Sequence, residues 1–334
     1  MQWIDKEIAV RYNLDVKNIL PFRDIYILTT LKGKKVLKKS PFSPERIMFI
    51  HGAKEHLYQN NFKSLDRFLC TVDGYPYINF QDEIYTLSDY PEGRQCDFDD
   101  REDVIKAANL LARLHKASKG YVPPENSKVQ DDLGKLPAYF NKRFAELRRL
   151  KKIAGKRRSS FDRLFLQHAD YFCNRAEKVI EQLGGGEYES AVDAARHEKV
   201  FCHHDFTHNN LICSDNRISV INFDYCRYEL KVYDVANFIR RKMRKCKWDI
   251  EEAGVILKEY LSVEKISREE FFVMKLMLQF PQKFWRVANK YYNSKRNLAE
   301  KAFYINLQEA VDEVCYHERF MDRFDLLISK AGCS

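Results

Sequence analysis

The sequence predicts an α+β protein: a small strand-rich N-terminal lobe carrying one helix, then a large, mostly helical lobe. Three observations predict it. The first 90 residues switch between strand-type and helix-type hydrophobic spacing. From Asp99 onward the apolar spacing is almost entirely helical. One β-rich segment, FCHHDFTHNNLICSDNRISVINFDYC (201–226), interrupts the helical part. The composition shift at SDYPEGRQCD reads as a short hinge, which gives lobes of 1–90 and 91–334.

The elements follow in order. IYILTT (25–30) and KKVLKK (34–39) are β-rich, and Leu31-Lys32-Gly33 between them reads as a hairpin turn. Ser43-Pro44-Glu45 opens a helix, with Ser as N-cap, Pro in the first helical position and an acid in the first turn. Ile50, Ala53 and Leu57 give that helix an apolar stripe. FLCTVDGYPYINF (68–80) and EIYTLSDY (83–90) read as two more strands, with Asp73-Gly74 as the turn. VIKAANLLARLHKAS (104–118) has helical apolar spacing, and further helices are expected near 137–152, 160–182, 249–261, 268–279 and 298–316. In VYDVANFIR (232–240) an aspartate opens a mostly apolar helix.

Composition narrows the function classes. The 334 residues are 45% hydrophobic and 13% aromatic, enough for a packed core and against disorder. The nine cysteines (70, 96, 173, 202, 213, 226, 246, 315 and 333) are scattered, with no C-x-x-C spacing. A structural zinc site is therefore not expected, and synthesis in a reducing compartment is. The N-terminal MQWIDKEIAVRYNL carries acids and no long apolar run, so it does not read as a signal peptide. No 18-residue apolar stretch is present, so no membrane span is expected.

The net charge of +9 is concentrated. NKRFAELRRLKKIAGKRR (141–158) holds nine Lys/Arg and one Glu, which is +8 and leaves +1 for the rest. A global argument for nucleic acid fails, and with only Phe144 interleaved the stretch is a poor single-strand platform. It reads either as a solvated helix face or as a surface for an acidic partner or anionic ligand.

The chemistry gathers in 201–226. His203-x-Asp205-x4-Asn210 has the spacing of a phosphotransferase catalytic loop. NLIC (210–213), the turn SDNR (214–217) and ISVIN (218–222) form a hairpin. If Cys213 lies beside Ile218, Asn210 lies beside Ile221 and Asn222. Phosphoryl transfer needs this grouping: an aspartate to orient or deprotonate a hydroxyl, and two oxygen ligands at adjacent strand ends to hold Mg²⁺ against nucleotide phosphates.

On these residues, with VINFDYCRYELKVYDVANFIRR (220–241), FPQKFWRVANKYYNS (280–294), AKEHLYQNNF (53–62) and TLSDYPEGR (86–94), the chain resembles the aminoglycoside phosphotransferase/choline kinase superfamily of bilobal protein-kinase-like folds. Within it, the chain is similar to the CotS family of endospore coat proteins, over nearly its whole length. The resemblance implies roles for particular residues. Asp205 would be the catalytic base, His203 a structural brace of the loop, and Asn210 a metal ligand. Lys38 would reach the nucleotide phosphates, with Lys39 as a competitor, and Glu55 would pair with Lys38. Asp89 and Tyr90 would offer hinge backbone to adenine, and Asp234 would anchor the catalytic loop. His204 and His208 receive no role.

Two positions depart from that pattern. Asn222 stands where these kinases carry the metal-binding aspartate: it keeps an oxygen but loses the charge. Asp224, two residues on, belongs to the F-D-Y pattern that the family also shows. The turn Pro21-Phe22-Arg23-Asp24 lacks the usual glycines, although Arg23 could meet phosphate by charge. The expectation is a spore coat protein, synthesised in the bacterial mother-cell cytoplasm, that partners other coat proteins and carries a degenerate or weak nucleotide and metal site. Neither nucleic acid nor membrane is an expected partner. The competing expectation is an active phosphotransferase using ATP and Mg²⁺ on a small hydroxylated substrate, with Asp205 as base. Both Asn210 and Asn222 are the candidate metal ligands in either case.

Overall fold

The computed structural model describes residues 2–215, 217–294 and 300–330. The chain forms two compact units, Met1–Asp131 with Glu198–Tyr228, and Asp132–His197 with Glu229–Ser334.

The first unit opens with helix α1 (Gln2–Tyr12), followed by strands β1 (Val16–Phe22), β2 (Ile25–Thr30) and β3 (Gly33–Ser40), helix α2 (Pro44–Gln59), and strands β4 (Ile78–Phe80) and β5 (Glu83–Asp89). The five strands form one antiparallel sheet in the order β1-β2-β3-β5-β4. Helix α1, which has no counterpart in the elements expected from sequence, is built on Ile4, Ile8 and Tyr12. This i, i+4, i+8 spacing seats them against Leu28, Leu37, Ile78 and Leu87 of the sheet. Helix α2 starts at Pro44 as expected. The Ser43 hydroxyl, however, bonds the Glu45 side chain instead of capping an amide, which holds the Glu45 carboxyl below its usual range.

The strand expected over 68–80 shrinks to Ile78–Phe80. Pro76 has no amide hydrogen to give a ladder, and Thr71 folds the preceding stretch into a local loop: its N–H donates to the Tyr75 carbonyl and its hydroxyl accepts from the Tyr75 N–H. Asp73-Gly74 turns inside that loop, with Gly74 at φ +83. The hairpin turn is Gln81-Asp82, where both residues are left-handed (φ 51 and 61), as a two-residue hairpin of this twist requires.

Strand β6 (Arg94–Gln95) and helix α3 (Arg101–Ser118) follow; the Asp100 carboxylate accepts from the Glu102 N–H at 2.8 Å and caps α3. The unit closes with β7 (Phe201–Cys202), β8 (Leu211–Ser214), β9 (Arg217–Val220) and β10 (Arg227–Tyr228), in small sheets ordered β6-β8-β9 and β10-β7.

The second unit is helical: α4 (Leu136–Ala154), α5 (Ser160–Leu183), α6 (Glu187–Glu198), α7 (Val232–Met243), α8 (Ile250–Leu261), α9 (Arg268–Gln279), α10 (Gln282–Asn293), α11 (Glu300–Asp312) and α12 (Val314–Lys330). The single helix expected over 298–316 is two helices, and positions 298 and 299 lie outside the described residues. A core of α4, α5, α10 and α11 stacks Phe161 on Tyr291 (3.8 Å between ring centroids) and Phe172 on Phe284 (4.0 Å). The basic side chains of α4 do not share one solvated face. Arg143 lies over the Trp285 ring at 4.7 Å and Lys151 pairs with Asp170, while Arg148, Arg149 and Lys152 are exposed. No described helix is long and apolar enough to cross a membrane. The described cysteines are all free thiols.

Candidate functional site

The loop after β7 passes through one 3₁₀ turn (His208–Asn210) into β8. Strands β8 and β9 pair Cys213 with Ile218 and Leu211 with Val220, and the Ile221 N–H donates to the Asn210 carbonyl at 2.9 Å. Asn210 therefore sits at the end of β9, beside Ile221 and Asn222, in the register expected from sequence. His203 is fully buried. Its Nδ1 accepts from the Asp205 N–H (3.2 Å), so Nε2 carries the proton and donates to the Ile221 carbonyl (3.0 Å). This ties the loop to the end of β9, with Phe223 edge-on to the imidazole at 4.7 Å. Asn210 Nδ2 donates to both the Asp205 carbonyl (2.9 Å) and its Oδ2 (2.8 Å), fixing the half-buried carboxylate.

Lys38, on β3, points into the same cleft. Its Nζ donates to Asn222 Oδ1 at 2.8 Å and Asp224 Oδ2 at 2.5 Å. Strand alternation sends the neighbouring Lys39 the other way, where it pairs with Glu83. Asn222 is left-handed (φ 67, ψ 62), a conformation that asparagine tolerates better than most residues. Its N–H donates to Asp66 Oδ2 at 3.1 Å and its Nδ2 faces Asn210 Oδ1 at 3.4 Å. Arg46 of α2, buried, donates to the Asp224 and Cys226 carbonyls at 2.9 and 2.6 Å and holds the following turn. Burial pushes the neighbouring Cys226 thiol up to about 11.

One expected contact is corrected. Glu55 does not pair with Lys38. It forms a bidentate pair with Arg67 (3.0 and 2.6 Å), which raises the Arg67 guanidinium further. The residue that α2 turns inward is Lys54, only 1% exposed, which donates to the Asp66 carbonyl at 2.7 Å and lies 3.0 Å from its Oδ1. The Lys54 ammonium also stands 3.8 Å from the Phe68 ring centre. The reason is helical phase: Ile47, Ile50, Lys54 and Leu57 share the buried stripe, and Glu55 is one residue, about 100°, off it. The two hinge N–H groups are engaged within the chain. The Asp89 N–H donates to the Arg67 carbonyl (3.1 Å) and the Tyr90 N–H to the Lys34 carbonyl (3.2 Å), while Pro91 has no N–H. Asp89 and Tyr90 both line the cleft, and their carbonyls are the backbone groups left to meet a ligand there.

The hinge then docks on the hairpin. Gly93 sits at φ +150, and a Cβ there would lie 2.3 Å from the Cys213 carbonyl oxygen, so the close approach requires glycine. Arg23, left-handed at φ 54, lines the same cleft. Asp234 is buried in the first turn of α7, in the second unit. Lys54, Asp66, Arg46 and Arg67 received no role from sequence. Only Lys54 carried a signal, as a cation on an apolar stripe.

The cleft encloses about 390 Å³, a size suited to a small organic ligand, with Val36, Phe68, Ile212 and Ile221 among its apolar walls. Three of its four acids are matched by lysines: Asp89 by Lys35 (2.5 Å), Asp224 by Lys38 (2.5 Å) and Asp66 by Lys54 (3.0 Å). The donor set fits Mg²⁺ poorly. Magnesium favours one or two free carboxylates among its oxygen ligands. Here the one oxygen of Asn222 accepts from Lys38, which turns its NH₂ toward the oxygen of Asn210. A hydrogen-bond donor thus faces the other candidate ligand.

Comparison with known proteins extends this picture. Residues 5–324 match the family described as "Spore coat putative kinase YutH". Spore coat protein S of Bacillus subtilis (strain 168) is 26% identical over 311 residues, covering 92% of this chain and 88% of that protein. An aminoglycoside phosphotransferase from Alicyclobacillus acidocaldarius has the same fold, with a TM-score of 0.86 at 21% identity, over 97% of this chain and 96% of that one. An amicoumacin kinase in complex with AMP-PNP and Ca²⁺ superposes with a TM-score of 0.60 at 15% identity, over 96% and 93% of the two chains.

Proposed function

Because the chain belongs to the spore coat YutH family and has an aminoglycoside phosphotransferase-type fold, we propose that it is a spore coat component whose kinase-type cleft is degenerate, taking nucleotide weakly and holding Mg²⁺ poorly. One observation carries this reading: the Lys38 ammonium is bonded to Asn222 Oδ1 and Asp224 Oδ2, the oxygens a metal would need. A divalent cation must displace that ammonium and has one carboxylate there instead of two. At an effective dielectric near 20, a unit pair at 4 Å gains roughly 4 kcal/mol gross and a divalent ion about twice that, before desolvation offsets much of it. Losing one carboxylate removes a gain of that order.

On this reading the protein acts among other coat proteins, in the spore coat, after synthesis in the mother-cell cytoplasm. Thermal unfolding with ATP, with and without Mg²⁺, tests it. The expected result is a small ATP shift that Mg²⁺ does not enlarge. A large Mg²⁺-dependent shift, abolished by Asp205→Ala in a folded protein, overturns it.

A second reading is favoured by the carboxylate of Asp224 in the same cleft and by the fixed Asp205 side chain. It is transfer of phosphate from ATP to a small hydroxylated acceptor, with Asp205 as base. Labelled phosphate appearing on a metabolite, and lost in Asp205→Ala, selects it.

A further inference from the structure

The second unit holds an unusual concentration of guanidinium groups: Arg143 on α4, Arg240 on α7, Arg244 one turn later just past the end of α7, and the exposed Arg286 on α10. Among the described residues none of the four has a carboxylate within ion-pairing distance. The nearby acids are engaged elsewhere. Glu146 accepts from Trp285 Nε1 (2.7 Å), and Glu309 and Glu313 accept from Lys283 (3.2 and 2.6 Å). Arg143 donates to Gln282 Oε1 (2.9 Å), and Arg240 donates to Asn237 Oδ1 (2.7 Å) and the Met277 carbonyl; all three acceptors are neutral. The Arg244 Nε is buried with no hydrogen-bond partner. Burial first, then the neighbouring arginines, push Arg240 down to about 9 and Arg244 down to about 10.

Beside these groups is a cavity of about 50 Å³ whose polar wall is Arg175, Arg240, Arg244, Gln279, Gln282, Lys283, Glu313 and His317; the one carboxylate, Glu313, is held by Lys283, and the Arg175 guanidinium meets His317 Nδ1, so Arg240 and Arg244 keep their charge unmatched there. That space equals the share of roughly two water molecules. It admits one small ionic group, not a whole apolar metabolite. Arg240 is buried and Arg143 and Arg244 are half-buried, so their like charges repel with little water to screen them. A single carboxylate would satisfy one guanidinium fork; several forks from different helices call for an anion with more charge and more acceptor oxygens.

We infer that this cluster binds a tetrahedral oxyanion, a doubly charged phosphate group, with Arg244 as its principal unpaired donor. The inference is independent of the nucleotide cleft, which lies in the other unit. Calorimetric titration of the full chain with inorganic phosphate, against sodium chloride at matched ionic strength, tests it. Saturable phosphate binding is expected in the natural chain and, within about twofold, in Lys38→Met. Arg244→Gln should lose at least tenfold in affinity. Its ligand-free melting temperature should hold or rise, because a repelling charge has gone. No saturable binding in the natural chain overturns the site, as does binding abolished by Lys38→Met or equal binding by Arg244→Gln.

Discussion

The Lys38 ammonium donates to the Asn222 amide oxygen at 2.8 Å, joining β3 to the end of β9. Restoring a carboxylate at 222 would give Lys38 and a metal ion a ligand to share. Asn222→Asp is predicted to strengthen ATP binding at least tenfold in the presence of Mg²⁺, and little in EDTA. Calorimetry with both buffers checks this; equal affinities for the two proteins would show that Asn222 does not limit the site.

Lys54 and Asp66 form a pair withdrawn from water, with side chains 1% and 12% exposed. Removing one member leaves the other buried and uncompensated, which costs about 3–5 kcal/mol. Lys54→Met should lose stability on that scale in urea unfolding, and Lys54→Met with Asp66→Asn should recover part of it. A loss under about 1 kcal/mol would mean that Asp66 finds water in the native state.

Glu55 pairs with Arg67 at the half-buried surface. Glu55→Gln should therefore cost no more than about 1 kcal/mol and leave ATP affinity unchanged. A clear loss of ATP binding would restore the partnership with Lys38 that the sequence suggested.

His317 is buried. Burial, followed by the neighbouring Arg175, pushes its imidazole from 6.5 down to about 3, against a Leu278 carbonyl that favours the protonated form. Above pH 6.5 neither folded nor unfolded chain carries this proton, and the residue contributes no pH dependence. Between about 6.5 and 3 the unfolded chain binds a proton that the folded chain refuses, so stability falls as pH falls. The slope approaches one proton, about 1.4 kcal/mol per pH unit. His317→Gln, which keeps a donor and an acceptor, should flatten the decline in urea midpoint between pH 6.5 and 4.5; an unchanged slope would assign the decline to other groups.

Most of the architecture was legible because it rests on local patterns. The hairpin that carries Asn210 and Asn222 followed from two short apolar runs and one polar turn, and its register came out residue for residue. The α2 stripe is legible in the sequence, yet Glu55 is the expected partner of Lys38 where Lys54 holds the inward position. A family motif marked the position, while the phase of Ile47, Ile50 and Leu57 marked its neighbour. The ion pairs Lys38–Asp224 and Lys54–Asp66 join residues distant in sequence or separated by a loop, and no periodicity announces such partners. The engaged amides of Asp89 and Tyr90 depend on Arg67 and Lys34 arriving from elsewhere, which only the folded chain reveals.

The left-handed backbone at Asn222 has a consequence for how this scaffold changes over generations. That conformation admits asparagine, aspartate and glycine with little strain and penalises most other side chains. The bend therefore does not discriminate between amide and acid. Swapping one for the other leaves the turn intact while reversing what the cleft favours, so shape and reactivity are uncoupled here, and a lineage can lose or regain the charge without remaking the fold.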